Sequence, residues 1–599
     1  PRVVVVGAAG LRWDDVGPHT PALQRVAGTG AVGVLSVKAL PDASCPADGW
    51  LTLGAGARAQ AFSAEREPCG SAVRVDAADP ERNIRSRDGA RLAALASALG
   101  GGVTATGPGA LLATGGRTLP AAPVHVVDAG QVAGPDRPAG ARAVDAVVAD
   151  VLARLPPDTD LLVVGLSEGP GDDTAHLHVA LATGPRWPSG ALRSASTRQA
   201  PYVQLVDVAP TVLAALGRPV PPEMDGQPWT VAGSAPGVAA LADLDRQAVA
   251  GKRITVPFFV ALAAVQVGAL VLVRRRPAAV RLVGLAGVLA LGASYAAMLV
   301  PWWRAPLPLL ALGGVAAALA VPTAALLVRR RSAVGLACLL VAGLLVADLV
   351  TGSHLQMASP AGYSPLVAGR FSGLGNVAFG VYAAAALLAT ASLAAGRSRR
   401  QTAGLVALAG VLFVAVAGAP QWGSDVGGVL ALLPAYVVLG LRLTGARLSP
   451  ARLALAGLAA AGLVSAFAVF DLARPAAQRS HLGRFAQQVA DGTAGEVLQR
   501  KATAVLALLF ANPVTALLPL AVAAAVLAVR RPPAPLRRAF AQVPAYRSAL
   551  TAVGVAGGIG FAVNDSGAAV PALALAVVLP ATVAVVAGVP QRPGDPPHG

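Results

Sequence analysis

The chain has 599 residues, 55% of them hydrophobic and only 13% charged, with a positive mean hydropathy, which excludes an ordinary soluble protein and points to a membrane protein. The net charge of +17 would suit a nucleic-acid binder. That class is excluded too, because the basic residues of the second half fall in short clusters between apolar segments, where membrane orientation accounts for them.

The chain opens on the β-branched run RVVVVG (Arg2–Gly7), of the kind buried on both faces of a parallel sheet. Two more apolar runs, His125–Asp128 and Leu161–Gly165, follow stretches with helical periodicity such as Ala141–Leu155. Strands alternating with helices predict an α/β domain with a mostly parallel sheet over 1–233, followed by a linker over 234–252. In such sheets ligands meet the carboxyl ends of the strands, so chemistry is expected at the turns after Gly7, Val127 and Gly165. Cys45 and Cys69 form a candidate disulfide in an oxidising compartment, the alternative being two unpaired small core residues; the third cysteine, Cys338, lies in an apolar stretch.

The membrane half begins at Lys252–Arg276, where about twenty uncharged residues end in three arginines, the pattern of one bilayer crossing from outside to inside. Residues 1–252 are then expected outside the cytoplasm, with a signal peptide or signal-anchor helix expected before Pro1. Ten further apolar segments follow, near 282–301, 306–328, 333–350, 377–395, 403–419, 426–441, 453–470, 504–529, 549–563 and 568–589. About eleven helices over 253–590 and a cytoplasmic tail at 591–599 result, with twelve helices if an anchor precedes Pro1. Arginine clusters at 274–281, 329–331, 397–400, 442–452 and 530–547 occupy every second junction and read as cytoplasmic. Pro257 and Pro434 are candidate kinks.

The first 230 or so residues resemble the alkaline phosphatase superfamily, in particular its phosphodiesterase and sulfatase-like branches. The likeness rests on VVVVGAAGLRWDDV with Thr20–Leu23, on Ser44-Cys45-Pro46 with Leu51–Gly54, and on the series Gly184-Pro185, VQLVDVAPTVL (Val203–Leu213), Gly217–Pro221 and Met224–Gly226. It implies a nucleophile position at Ser44 and a site built on two divalent metals held by Asp and His. The ligand pattern departs from the family's. Ala8-Ala9 stands where the first metal-binding Asp is expected, Ser167-Glu168-Gly169 replaces Asp-His-Gly, and Asp128-Ala-Gly-Gln131 replaces the Asp and Gly-His pair. Ser44, Asp128, Glu168 and His176 remain as candidate catalytic residues. No cofactor is expected, since Gln and Ala cannot replace imidazole and carboxylate without a large loss of affinity; a single divalent metal, if any, would use Asp128, Glu168, His176 and His178.

In the membrane half, Arg370, Asn376, Asp425, His481, Arg484 and Asp565 fall on one predicted side and are candidate substrate-binding residues, because an Arg fork matches phosphate and polar backbone at membrane depth is tolerated where it lines a cavity. A tight turn at Asn564–Gly567, a structured loop around Arg370, and arginines paired with lipid headgroups are the plainer alternatives.

The expectation is an integral membrane protein of the bacterial cell envelope. Its outer domain is a pseudoenzyme that binds or positions an anionic envelope substrate, a lipid-linked glycan or a phospholipid. Two alternatives are an active metal-dependent phosphate or sulfate ester hydrolase or headgroup transferase, and a transporter or flippase with an outer gating domain. Tags at Gly352 and Gly492 should be reached from outside the cell, and tags at Ser398 and Pro533 only from the cytoplasm; inversion at any two overturns this orientation. Thiol reagents without reductant should fail to reach Cys45 and Cys69 in the folded protein.

Overall fold

The structure is a computed structural model and describes residues 2–40, 44–62, 79–86, 88–447, 449–473, 518–564 and 568–589. It divides into two compact units, Pro1–Lys252 together with Ser364–Phe371, and Arg253–Tyr363 together with Ser372–Gly599.

The first unit is a sheet with helices. Its strands are β1 (Arg2–Ala9), β2 (Ala31–Ser36), β3 (Val103–Thr106), β4 (Val124–Gln131), β5 (Thr159–Ser167), β6 (Leu177–Thr183), β7 (Gly190–Ser194), β8 (Tyr202–Gln204) and β9 (Trp229–Ala232). They form one mixed sheet in the order β3-β4-β1-β5-β6-β2-β7-β9, with β8 also paired to β2. The sequence predicts a mostly parallel sheet, and β1 is indeed flanked in parallel by β4 and β5. The far side is different: β6 runs antiparallel to both β5 and β2, and β9 antiparallel to β7. The cause is local. Residues 168–176 join β5 to β6 without a helix, and a parallel return would need a long crossover.

Around the sheet lie α1 (Pro21–Thr29), α2 (Pro46–Ala55), α3 (Pro80–Arg85), α4 (Ala94–Ala98), α5 (Pro108–Ala113), α6 (Arg137–Arg154) and α7 (Val208–Ala215). Val3, Val5, Leu162 and Val164 from the central strands pack with Trp50 and Leu53 of α2 and Leu112 of α5 in one core. The amide groups of Ala22 and Leu23, which open α1 and have no partner within it, donate to the buried carboxylate of Asp145 on α6 at 3.3 and 2.8 Å.

The second unit is helical. After α8 (Val238–Val273), which includes much of the stretch expected as linker, come α9 (Pro277–Ala296), α10 (Pro308–Leu327), α11 (Ala333–Val350), α12 (Asn376–Ala394), α13 (Arg399–Gly418), α14 (Val426–Leu443), α15 (Pro450–Leu472), α16 (Leu518–Arg530), α17 (Ala534–Gln542), α18 (Pro544–Val563) and α19 (Ala569–Ala587). Among the described residues ten helices are long and apolar enough to cross a membrane, so the chain is a multi-pass membrane protein. The expected segment 504–529 is described only from Leu518 onward, as α16; its first part lies outside the described residues. Pro257 and Pro434 sit inside continuous helices.

Helix α12 is the centre of this unit, packed against α11, α13, α14, α18 and α19. Its run Ala383–Ala386 lets neighbours come close, and its Tyr382 hydroxyl donates to the Phe413 carbonyl at 2.8 Å. The loop before α12 pairs several of its polar groups. Asp348 accepts from the Leu355 amide at 2.7 Å and from Gln356 Nε2 at 3.0 Å, Gln356 Oε1 accepts from the Gly375 amide, and Ser353 Oγ accepts from the Gly373 amide. Non-helical backbone at membrane depth requires this kind of satisfaction by protein groups.

Asp145→Ala leaves two buried amides at the start of α1 without acceptors and should lower unfolding stability by about 1–3 kcal/mol. Denaturant unfolding of the full chain in detergent, read beside the parent, measures it.

Candidate functional site

The strands β1, β4 and β5 end side by side, with Ala9 in register with Gln131 on one flank and Ser167 on the other. The chain leaves β1 through Gly10, whose φ of +73° and contact with the Val132 carbonyl leave no room for a side chain. That turn delivers Arg12 and Asp15 to the strand ends. Glu168 and Asp172 arrive after β5, and Arg137 arrives at the start of α6.

These residues form a charged network. Arg12 Nη2 stands 2.6 Å from Asp172 Oδ2 and 3.4 Å from Glu168 Oε2. Arg137 grips Asp15 with two nitrogens, Nη2 to Oδ2 at 2.6 Å and Nε to Oδ1 at 3.2 Å, and also donates to the Gly10 carbonyl at 2.7 Å. Glu168 is only 1% exposed, so its charge depends on these neighbours. Its Oε1 accepts from the His176 amide at 2.8 Å and lies 3.2 Å from His178 Nε2, a close approach without hydrogen-bond alignment. His178 Nδ1 is 3.1 Å from the Leu11 carbonyl, which can only accept, so that nitrogen carries the proton. His176 Nδ1 pairs with Asp245 Oδ2 at 2.7 Å, and Asp245 Oδ1 accepts from the Leu177 amide.

Burial raises the Glu168 pKa, but the interactions with His178, with the His176 amide and with His176 outweigh it and hold the carboxyl below its usual value. Elsewhere in this unit, burial drives Asp207 the other way, up to about 6, although the Gln227 and Gln204 amides and the Ser196 hydroxyl all donate to it.

Of the sequence-predicted residues, Ser44, Glu168 and His176 come together. They line one small pocket with Val37, Lys38, Ala175 and Leu366. Ser44 is buried and fixed, its Oγ accepting from the Ala39 amide at 2.8 Å and its carbonyl from the Glu168 amide at 2.9 Å. Next to it Cys45 is disulfide-bonded, while Cys69 lies outside the described residues. Asp128 is spent on backbone amides, Oδ2 on Gly109 at the start of α5 and Oδ1 on Gly130, and does not line the pocket. Among the described residues no group of three or more His, Cys, Asp or Glu is arranged to hold a metal ion.

The membrane pocket expected from sequence is only partly described. Asn376 opens α12, and Asp425 caps α14 by accepting from the Gly428 amide at 2.9 Å. Arg370 belongs to the segment that clusters with the sheet unit. His481, Arg484 and Asp565 lie outside the described residues. Sequence reading missed Asp15, Arg137, Asp172, Asp245 and Leu366, and gave Arg12 no role. Only WDD after the first strand carried a usable signal; the others meet the site through the fold alone.

No family model matches the chain, and no curated protein matches it.

A carboxyl held below its ordinary value stabilises the fold above that value, and the contribution is lost as pH falls through the depressed one. The parent should therefore lose stability on acidification below about pH 4.3. Glu168→Gln should be less stable at pH 7 and show a smaller acid dependence; unfolding midpoints across pH 3–7 measure this.

Proposed function

We propose that this protein works in the bacterial cell envelope, with an extracytoplasmic, alkaline phosphatase-like sheet domain that binds or positions an anionic substrate, a lipid-linked glycan or phospholipid, for the membrane half. The observation that carries the reading is the strand-end network. Ser44, Glu168 and His176 share a pocket where α/β sheets take ligands, yet the carboxylates beside it are already engaged by guanidinium groups. Two-metal chemistry does not suit this donor set. Ala8 and Ala9 supply no ligand, Asp128 is held by amides, His176 Nδ1 by Asp245, and Arg12 brings a fixed positive charge to Glu168 and Asp172. No metal-dependent step is therefore assigned, and Ser44, with its Oγ accepting from a backbone amide, has a positioning part in the pocket.

The outward placement of the sheet domain is supported by the arginine clusters that close α8, α10, α12, α14 and α16.

Purified full-length protein supplied with zinc or manganese should hydrolyse p-nitrophenyl phosphodiesters and sulfates no faster than buffer, with Ser44→Ala unchanged. Turnover that Ser44→Ala abolishes would overturn the proposal in favour of a working hydrolase.

A further inference from the structure

The pocket of Ser44, Glu168 and His176 is not bounded by the first 252 residues alone. Leu366 forms part of its wall, on a segment more than one hundred residues downstream that clusters with the sheet unit. Ser364–Phe371 is built into that unit by specific contacts. The Ser36 hydroxyl, at the carboxyl end of β2, donates to the Pro365 carbonyl at 2.7 Å. Arg58 donates to the Ala368 carbonyl at 2.6 Å and reaches Gln204 Oε1 at 3.4 Å. Ser36 and Gln204 are register partners in the parallel pair β2–β8, so the Ser36 anchor and the Gln204 side chain that Arg58 reaches stand at the carboxyl ends of neighbouring strands. Phe371 packs on Tyr202 of β8 with ring centroids 6.4 Å apart.

The segment is also folded for this place. The amides of Val367 and Ala368 return to the Ser364 carbonyl in a single turn, and Ala368 takes a φ of +52°, a left-handed conformation that costs a residue with a Cβ and persists only when its surroundings impose it. Leu366, Ala368 and Phe371 are 4%, 6% and 3% exposed, while Val367 between them faces out. A chance surface contact would not bury alternate apolar side chains and engage two backbone carbonyls.

We propose that Ser364–Phe371 is a tethered plug of the strand-end cleft. With the segment seated, Leu366 occupies the approach to Ser44, Glu168 and His176, and an anionic substrate reaches them only after the Arg58 and Ser36 bonds to the segment are released. This rests on the reading that the cleft is a substrate site, and it adds the regulation of that site. Seating draws on the hydrogen bonds from Ser36 and Arg58 and on the apolar side chains of a single turn, contacts that a bound ligand can outcompete.

The test needs no ligand. Val37, on the pocket wall and 4% exposed, is replaced by cysteine in the full-length protein, and its labelling rate by a charged methanethiosulfonate is measured in detergent at neutral pH. Cys45 is bonded and Cys338 buried, and labelling of the protein without the new cysteine supplies the background to subtract. Labelling should be slow with the plug intact and rise roughly tenfold or more with Arg58→Ala or Leu366→Ala, because losing a charge-assisted bond or an apolar anchor shifts the opening equilibrium by that order. Phe371→Leu, which keeps an apolar side chain, guards against misfolding and should give a smaller rise; each variant is read with its thermal transition. Fast labelling in the parent, or unchanged rates in all three folded variants, would overturn the plug. Either result leaves the hydrolysis assay above untouched, so the two readings fail separately.

Discussion

The position of Arg12 between Glu168 and Asp172 is the constraint on which the sheet unit turns. A carboxylate as buried as Glu168 is costly unless paired, and here the pairing comes from a guanidinium delivered by the turn after β1 and from the His176 amide just before β6. The surrounding geometry follows. Gly10 must take a left-handed turn to bring Arg12 back, Arg137 must hold Asp15 so that the turn stays closed, and Asp245 must hold His176 and the first amide of β6. Removing one partner leaves a buried charge uncompensated, which explains why the network is continuous rather than a set of isolated pairs.

The membrane unit obeys the same accounting of polar groups in a different solvent. Around α12 the helices meet through small residues and a few interhelical hydrogen bonds, and the irregular stretch before it turns its amides onto Asp348, Gln356 and Ser353. Polar residues that looked like pocket walls in sequence serve in part to complete the backbone, as Asp425 does by capping α14.

The alternation of apolar runs with helical stretches placed β1, β4, β5 and α6 correctly, because buried parallel strands announce themselves as unbroken β-branched runs. The reversal at β6 was hidden. LHVALAT of β6 reads as one more buried run, and its direction depends on the short connection from β5 rather than on its own residues. Ser44, Glu168 and His176, singled out in the sequence, line one pocket, although Ser44 lies far from the other two along the chain. Arg137, Asp245 and Leu366 were not legible, since each belongs to a different element and reaches the strand ends only once the sheet is assembled. Asp128 meets its partners through the fold in the same way, its carboxylate accepting from the Gly109 amide of the preceding helix α5 and from the Gly130 amide.

Under the proposed function, the Arg12 guanidinium, 3.4 Å from Glu168 and 2.6 Å from Asp172, takes the place of a divalent ion at the strand ends. Thermal unfolding of the full-length protein with chelator, with zinc and with manganese measures this directly, because an ion bound only by the folded state raises the midpoint with concentration. The expected result is one midpoint in all three conditions for the parent and a fall on Arg12→Ala. A midpoint that drops with chelator and returns with either metal in the parent would contradict it.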